Sequence, residues 1–202
     1  MKRIIIGALA VIMMLAMVGC GGEEKESLTV ATFKDITAES GYHMNLEMTA
    51  EGQAMTMDMQ VKGDQLYVDG KLSGETVLMI KNAEGFYVLM PSLKQGIKVT
   101  LDAKMEKDLE GIKEVTDMGV QAKDAEYTEG EMDIDGTTYQ YEEFKDDDKN
   151  VAKFCYKDGK LAYLISTADG VETKIKINSL DNKVDEALFK VPTDYTITEG
   201  TL

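Results

Sequence analysis

Methionines are the residues of this sequence whose type and spacing first raise the question of chemistry. Five of the fourteen in the chain fall between Met44 and Met59. Thioether sulfur is a suitable ligand for Cu(I), and Met55-x-Met57-x-Met59 presents three thioether groups at alternate positions. Alternate side chains on a strand stand about 7 Å apart, so three sulfurs would have to bend together to reach one ion. The same residues can equally form a flexible apolar wall for a ligand, or part of a core. We assign no metal ligand here, and Cu(I) binding stays an alternative.

A second candidate is a calcium loop. Glu131-x-Asp133-x-Asp135-Gly136, followed after five residues by Glu142, approaches the spacing of an EF-hand. The first position is Glu rather than Asp, and the flanking segments alternate like strands rather than helices. We therefore interpret Asp135-Gly136 as a tight turn between two strands.

Catalytic chemistry has little support in the composition. The chain has one His, two Cys and no pattern of Ser, His and Asp that predicts a nucleophilic triad. Cys155 lies between Phe154 and Tyr156, where a small apolar side chain in a strand is expected rather than a nucleophile. We predict a protein that is not an enzyme and that needs no cofactor.

The N-terminus carries an export sequence. Lys2 and Arg3 precede an uncharged run from Ile4 to Val18, which has the length of a secretory signal and is short for a membrane span. Met17-Val18-Gly19-Cys20 resembles a bacterial lipobox. The resemblance implies that residues 1–19 are removed, that Cys20 is lipidated, and that residues 20–27 form a flexible tether at an extracytoplasmic face of a bacterial cell membrane.

Charge excludes one class of partner. Lys2 and Arg3 are two of the 22 basic residues. Residues 20–202 therefore contain 20 basic and 37 acidic residues, and they carry a formal charge of −17. Arg3 is the only arginine. Nucleic-acid binding is not expected, because neutralising phosphates requires clustered cations.

The remainder, residues 28–202, has the pattern of one domain dominated by antiparallel hairpins. Turn pairs such as Asp135-Gly136 and Asp158-Gly159 separate short apolar segments. Alternation from Tyr42 to Val61 places the five methionines on one strand face and His43 on the other. We count about ten strands, and we predict a short helical turn over 185–189.

One segment has helical periodicity instead. Between 101 and 118, six apolar residues recur at spacings of three and four, which predicts an amphipathic helix long enough to lie across a sheet. These residues are Leu101, Met105, Leu109, Ile112, Val115 and Met118. The predicted fold class is α+β, with a curved antiparallel sheet, an incomplete β-barrel, wrapped over this helix.

At this level the chain resembles the LolA-like superfamily, which includes the LolA and LolB lipoprotein carriers and the LppX and LprG lipoproteins. The resemblance covers the order of elements over most of 28–202, and at residue level it rests on Leu188-Phe189-Lys190-Val191-Pro192 followed by Tyr195. It implies a half-barrel with an apolar cavity for acyl chains. The LolA carrier latches its lid with an arginine, which residues 20–202 lack.

These patterns together predict a lipid-anchored protein that holds a lipid or another amphiphile. Met105, Leu109 and Ile112 would belong to a lid or plug helix. A surface sensing or interaction module with a packed interior stays the alternative. The residues predicted to line the apolar face are Met44, Leu46, Met48, Met55, Met57, Met59, Val77, Met79, Phe86 and Val88.

Replacing Met55, Met57 and Met59 together with leucine separates the copper and lipid hypotheses. Side-chain volume is nearly kept, so lipid binding should change little and stability should fall by less than about 1.5 kcal/mol per site. Titration with Cu(I) in the presence of a competing chelator measures the other outcome. Tight Cu(I) binding that the three substitutions abolish would contradict the lipid hypothesis.

Overall fold

The computed structural model describes residues 26–50, 53–72, 74–106, 109, 122–145, 150–168 and 171–200. The predicted signal peptide, Cys20 and Ile112 lie outside these residues. Within them, no helix has the length and apolar character needed to cross a membrane.

The described chain forms one twelve-stranded sheet. Its spatial order is β12-β6-β5-β4-β3-β2-β1-β11-β10-β9-β8-β7, antiparallel throughout except for the parallel pair β6 and β12. The strands are β1 Tyr42–Ala50, β2 Gln53–Lys62, β3 Gln65–Leu72, β4 Glu75–Asn82, β5 Gly85–Met90, β6 Gln95–Val99, β7 Tyr127–Ile134, β8 Thr137–Lys145, β9 Val151–Lys157, β10 Lys160–Ala168, β11 Val171–Asp181 and β12 Thr196–Gly200.

The predicted count of about ten strands was wrong, because two strands contain glycine. In β3, Asp69-Gly70 looks like a turn, yet Gly70 pairs with Met57 and with Val77 inside the sheet. In β6, a Cβ built on Gly96 would lie 2.3 Å from a methyl carbon of Leu89. Glycine is required there by close packing rather than by a turn.

Register places the methionines on one sheet face, which we call the methionine face. Met44 lies opposite Met59, and Met59 lies opposite Val68 on β3. The same face continues in the other direction, where Met48 lies opposite Ile175 on β11. It therefore extends across both halves of the sheet.

The opposite face is covered in part by the C-terminal segment. A short 3-10 helix, Glu186–Phe189, places Phe189 in a buried cluster with Tyr67 and Ile80. The helical turn predicted over 185–189 is thus present. A separate cluster on this face contains Cys155, Ile134 and Ile165.

The N-terminal helix α1, Leu28–Phe33, was not predicted, and it packs on the methionine face. A buried carboxylate holds its first turn: Glu142 on β8 accepts hydrogen bonds from Ser27 Oγ at 2.7 Å, Leu28 N at 2.7 Å and Thr29 N at 2.9 Å. Amide groups at a helix N-terminus lack helical partners and favour negative charge. The carboxylate therefore satisfies the helix and fixes it to the sheet.

The predicted helix over 101–118 lies largely outside the described residues. Residues 103–106 and Leu109 are helical, as are residues 122 and 123. No long helix occurs in the part of the chain that the structure describes. Leu109 packs against the core of the methionine face, and Ala122 and Ala125 are buried in that core.

Replacing Glu142 with alanine should destabilise the fold by roughly 3 kcal/mol, because it leaves two buried donors and one partly buried donor without an acceptor. Urea unfolding followed by circular dichroism measures the change. Glu131→Ala is the matched control, since Glu131 is exposed on neighbouring β7, and it should cost less than about 0.5 kcal/mol. Equal stability of the two variants would contradict the role given to Glu142.

Candidate functional site

All ten residues predicted to line an apolar face lie on the methionine face. The cross-strand pairs connect them in order, from Met44 on β1 to Met79 on β4 and Val88 on β5. Their burial differs. Met44, Leu46, Met48, Met59 and Phe86 are buried.

The other five predicted residues are only half-buried, and they are contiguous. Val88 lies between Met79 and Ile97, and Ile97 on β6 is half-buried as well. We call this group the open patch. It consists of Met55, Met57, Val77, Met79, Val88 and Ile97.

The open patch occupies one end of the sheet. This is the end of the sheet at which β1, β3 and β5 finish, with Ala50, Leu72 and Met90 as their last residues. We call it the tether end. At the far end, Leu66, Phe86 and Val99 on the same face are buried, and half-buried Lys81 lies between Leu66 and Phe86. The apolar face is therefore packed at the far end and partly open at the tether end, over β2 and β4 to β6.

Sequence reasoning missed the other half of the methionine face. There α1 covers β8 and β9, and the rings of Phe33 and Phe154 meet edge to face at 6.0 Å. Phe144 meets Phe154 in the same way at 5.5 Å. A sequence signal for α1 existed in Ser27, whose side chain accepts a hydrogen bond from Val30 N as a helix N-cap.

Of the predicted lid or plug residues, Met105 and Leu109 are described and Ile112 is not. Both are half-buried, and Leu109 contacts the core of the methionine face. This contact agrees with a position over the face, and the role of a lid or plug stays a prediction.

The polar side of β1 and β2 forms a second cluster. His43 Nε2 lies 2.8 Å from Asp58 Oδ2, and Asn45 donates to the same oxygen at 3.0 Å. His43 points away from the methionines, as predicted. Asp58 also faces Asp69 across the strands, and burial together with the Asp58 charge raises the pKa of Asp69.

This cluster is not arranged to hold a metal. Among the described residues, no group of three or more His, Cys, Asp or Glu side chains has suitable geometry. Asp58 instead accepts hydrogen bonds within the sheet, which orients His43 and Asn45.

The EF-hand-like segment is a hairpin, as the strand alternation predicts. Ile134 pairs with Thr137, and Asp135 and Gly136 both have positive φ, at 53° and 78°. Asp133 accepts a hydrogen bond from Gly136 N at 2.9 Å, and Glu142 is committed to α1. These carboxylates stabilise a turn and a helix rather than one shared ion.

Cys155 is a buried strand residue, also as predicted. Its Sγ lies 3.5 Å from Met132 Sδ on the face opposite the methionines. Burial raises the pKa of the thiol to about 11, and Lys153 opposes the shift only in part.

Cys155 should therefore resist iodoacetamide in the folded protein at pH 8. About one thiol in a thousand would be ionised three pH units below its pKa, and burial restricts access further. Intact mass spectrometry before and after addition of urea measures the difference. Alkylation of the folded protein as fast as the unfolded chain would contradict this assignment.

The sequence matches no family model and no curated protein. Among solved structures, it is similar to an uncharacterized conserved protein from Thermus thermophilus, with 8% identity over 86% of this chain and 97% of that chain and a TM-score of 0.48. A structure of PNGF-II is 11% identical over 80% of this chain and 31% of that chain, with a TM-score of 0.36. A DUF1329 family protein from Desulfovibrio piger is 15% identical over 81% of this chain and 94% of that chain, with a TM-score of 0.29. At these TM-scores the similarities carry no functional argument.

Proposed function

We propose that this protein is a membrane-anchored, extracytoplasmic lipoprotein that holds an acyl chain of a lipid against the methionine face. The open patch is the observation that carries the proposal. Six apolar side chains from four strands stay only half-buried side by side, and three of them, Met55, Met57 and Met79, pack at the edge of the buried core. A contiguous apolar surface that is only partly buried is a candidate binding surface.

The chemistry of the patch fits a chain rather than a compact polar ligand. All six of its side chains are aliphatic or thioether, and neither charge nor amide lies among them. Covering this area would contribute ~25 cal/mol for each Å² of apolar surface removed from water. Unbranched methionine can repack around ligands of different shape, so the patch would select for apolar chains without selecting one length.

The far end of the methionine face would limit how deeply the ligand enters. Leu66, Phe86 and Val99 are buried at the far end of the same face, where Lys81 lies between Leu66 and Phe86, and Met44 and Met59 are buried beside the patch. A chain entering from the tether end would therefore meet apolar side chains along its length and stop against the buried row. No catalytic group is needed for this function.

The membrane anchor completes the proposal. Lipidation of Cys20 would keep the protein at a bilayer, where acyl chains are abundant, and two acyl chains on one residue give stable anchoring. The excess of acidic residues would help to keep the domain hydrated at that surface.

Native mass spectrometry tests the ligand. The chain from residue 20 with Cys20→Ser keeps every described residue and removes only the lipid attachment point. After incubation with a fatty acid or a phospholipid without detergent, we expect discrete adducts that can be extracted into organic solvent. Met57→Asp should weaken binding at least tenfold, because an ionised carboxylate in the bound complex costs more than the ~1.4 kcal/mol that a factor of ten represents.

Thr56→Asp is the matched control. Thr56 is the neighbour of Met57 on β2, is exposed and points to the opposite face, so its substitution should leave binding unchanged. Urea midpoints of both variants show whether either has lost its fold. The absence of adducts with every lipid, or equal loss in both variants with the folds intact, would support a fully packed interaction module instead.

A further inference from the structure

The structure distinguishes the two ends of the sheet by what each exposes. In the described residues, two large hydrophobic side chains are exposed: Leu93, at 59%, and Val171, at 67%. Leu93 lies in the 3-10 turn between β5 and β6, and Val171 begins β11 after the β10 connection. Both connections are at the tether end, at the rim of the methionine face.

The far end differs in its exposed hydrophobic residues. Four two-residue hairpin turns join the strands there, and none of their described residues is an exposed large hydrophobic. The turns are Gly63-Asp64, Ala83-Glu84, Asp135-Gly136 and Asp158-Gly159.

The path of the N-terminal chain points to the same end as Leu93 and Val171. Glu142, which accepts a hydrogen bond from Ser27, lies three residues before Lys145, the last residue of β8. Ser27 is therefore about 10 Å from the tether end of that strand. From Ser27 the chain runs through α1 towards the far end, where Gly63 N donates to Ala38 O. Ser27, from which the proposed tether would extend, therefore lies nearer the tether end than the far end.

A lipid on Cys20 could extend farther beyond the tether end than beyond the far end. Residues 20–26 reach about 25 Å when fully extended, which would take Cys20 about 15 Å beyond the tether end. The far end lies about 17 Å from Ser27, because Glu142 is five residues from the start of β8, so Cys20 would extend only about 8 Å beyond that end.

We infer that the tether end is a bilayer-binding surface, with Leu93 and Val171 inserted among the lipid headgroups and acyl chains and the open patch facing the bilayer. This inference rests on the lipid anchor of the proposed function. Each of the two side chains alone would be an ordinary exposed apolar residue. Together they flank the open mouth of an apolar face at the end that the anchor holds near lipid.

The test uses the full lipidated protein, reconstituted into vesicles of phosphatidylethanolamine and phosphatidylglycerol. Single cysteines replace Leu93, Val171 or Lys160 and carry an environment-sensitive fluorophore. Lys160 is the matched control, since it is exposed at the far end, where it begins β10. Cys155 is buried, and Cys20 would carry lipid, so the introduced thiol is the one that reacts.

We expect the labels at 93 and 171 to shift to shorter emission wavelength on reconstitution, to lose quenching by aqueous iodide, and to gain quenching by a quencher attached to the lipid chains. The label at 160 should change in none of these ways. Equal exposure to iodide at all three positions, or insertion of the label at 160 instead, would overturn the inference.

Flotation of the vesicles distinguishes a failure of the lipid anchor from a failure of the proposed orientation at the bilayer. A protein that floats with water-exposed labels at 93 and 171 overturns the inference and leaves the anchor intact. A protein that does not float overturns the anchor and the inference together, while adducts in native mass spectrometry would still support ligand binding by the methionine face. Unchanged urea midpoints confirm that each labelled variant keeps the fold.

Discussion

The covering of one continuous apolar sheet face is the constraint on which the rest of the structure depends. Twelve hydrogen-bonded strands align their inward side chains from β7 to β6, and such a face is stable only when something removes it from water. A short helix, α1, covers the half over β8 and β9, where Phe144 and Phe154 are fully buried. Over β2 and β4 to β6 the cover is incomplete at the tether end. The functional proposal follows from this difference between the two halves.

Glu142 determines which half is covered. Its carboxylate is 2% exposed and binds three donors at the start of α1, so the helix cannot slide along the face without leaving a buried charge unpaired. Tyr156 adds a second link through its hydroxyl, which donates to Thr29 Oγ1 at 2.9 Å. The same contacts fix Ser27, from which the proposed tether would extend. One buried carboxylate thus links the fold to the proposed binding surface and to its proposed orientation at a membrane.

The sequence predicted the elements in which apolar residues recur regularly and in which the turns carry common turn pairs such as Asp-Gly. Alternation from Tyr42 to Val61 correctly placed the methionines on one face and His43 on the other, and Asp135-Gly136 correctly marked a hairpin. It failed for β3 and β6, because Gly70 and Gly96 look like turn residues in a linear sequence, although Gly70 pairs inside the sheet and Gly96 serves close packing. Helix α1 was also missed, because six residues are too few for a helical period of apolar residues to be recognised. Which methionines are buried could not be predicted, because Met57 and Met59 have the same chemistry and differ only in what covers them.

Methyl NMR can observe ligand binding at the open patch residue by residue. With every methionine methyl group labelled by ¹³C, the unlipidated chain is titrated with a fatty acid, and each resonance reports its own surroundings. We expect Met55, Met57 and Met79 to shift as the acid binds, while Met132, which contacts Cys155 on the opposite face, stays unchanged. No shift at any methionine of the face, or a shift of Met132 as large as theirs, would contradict binding at the open patch.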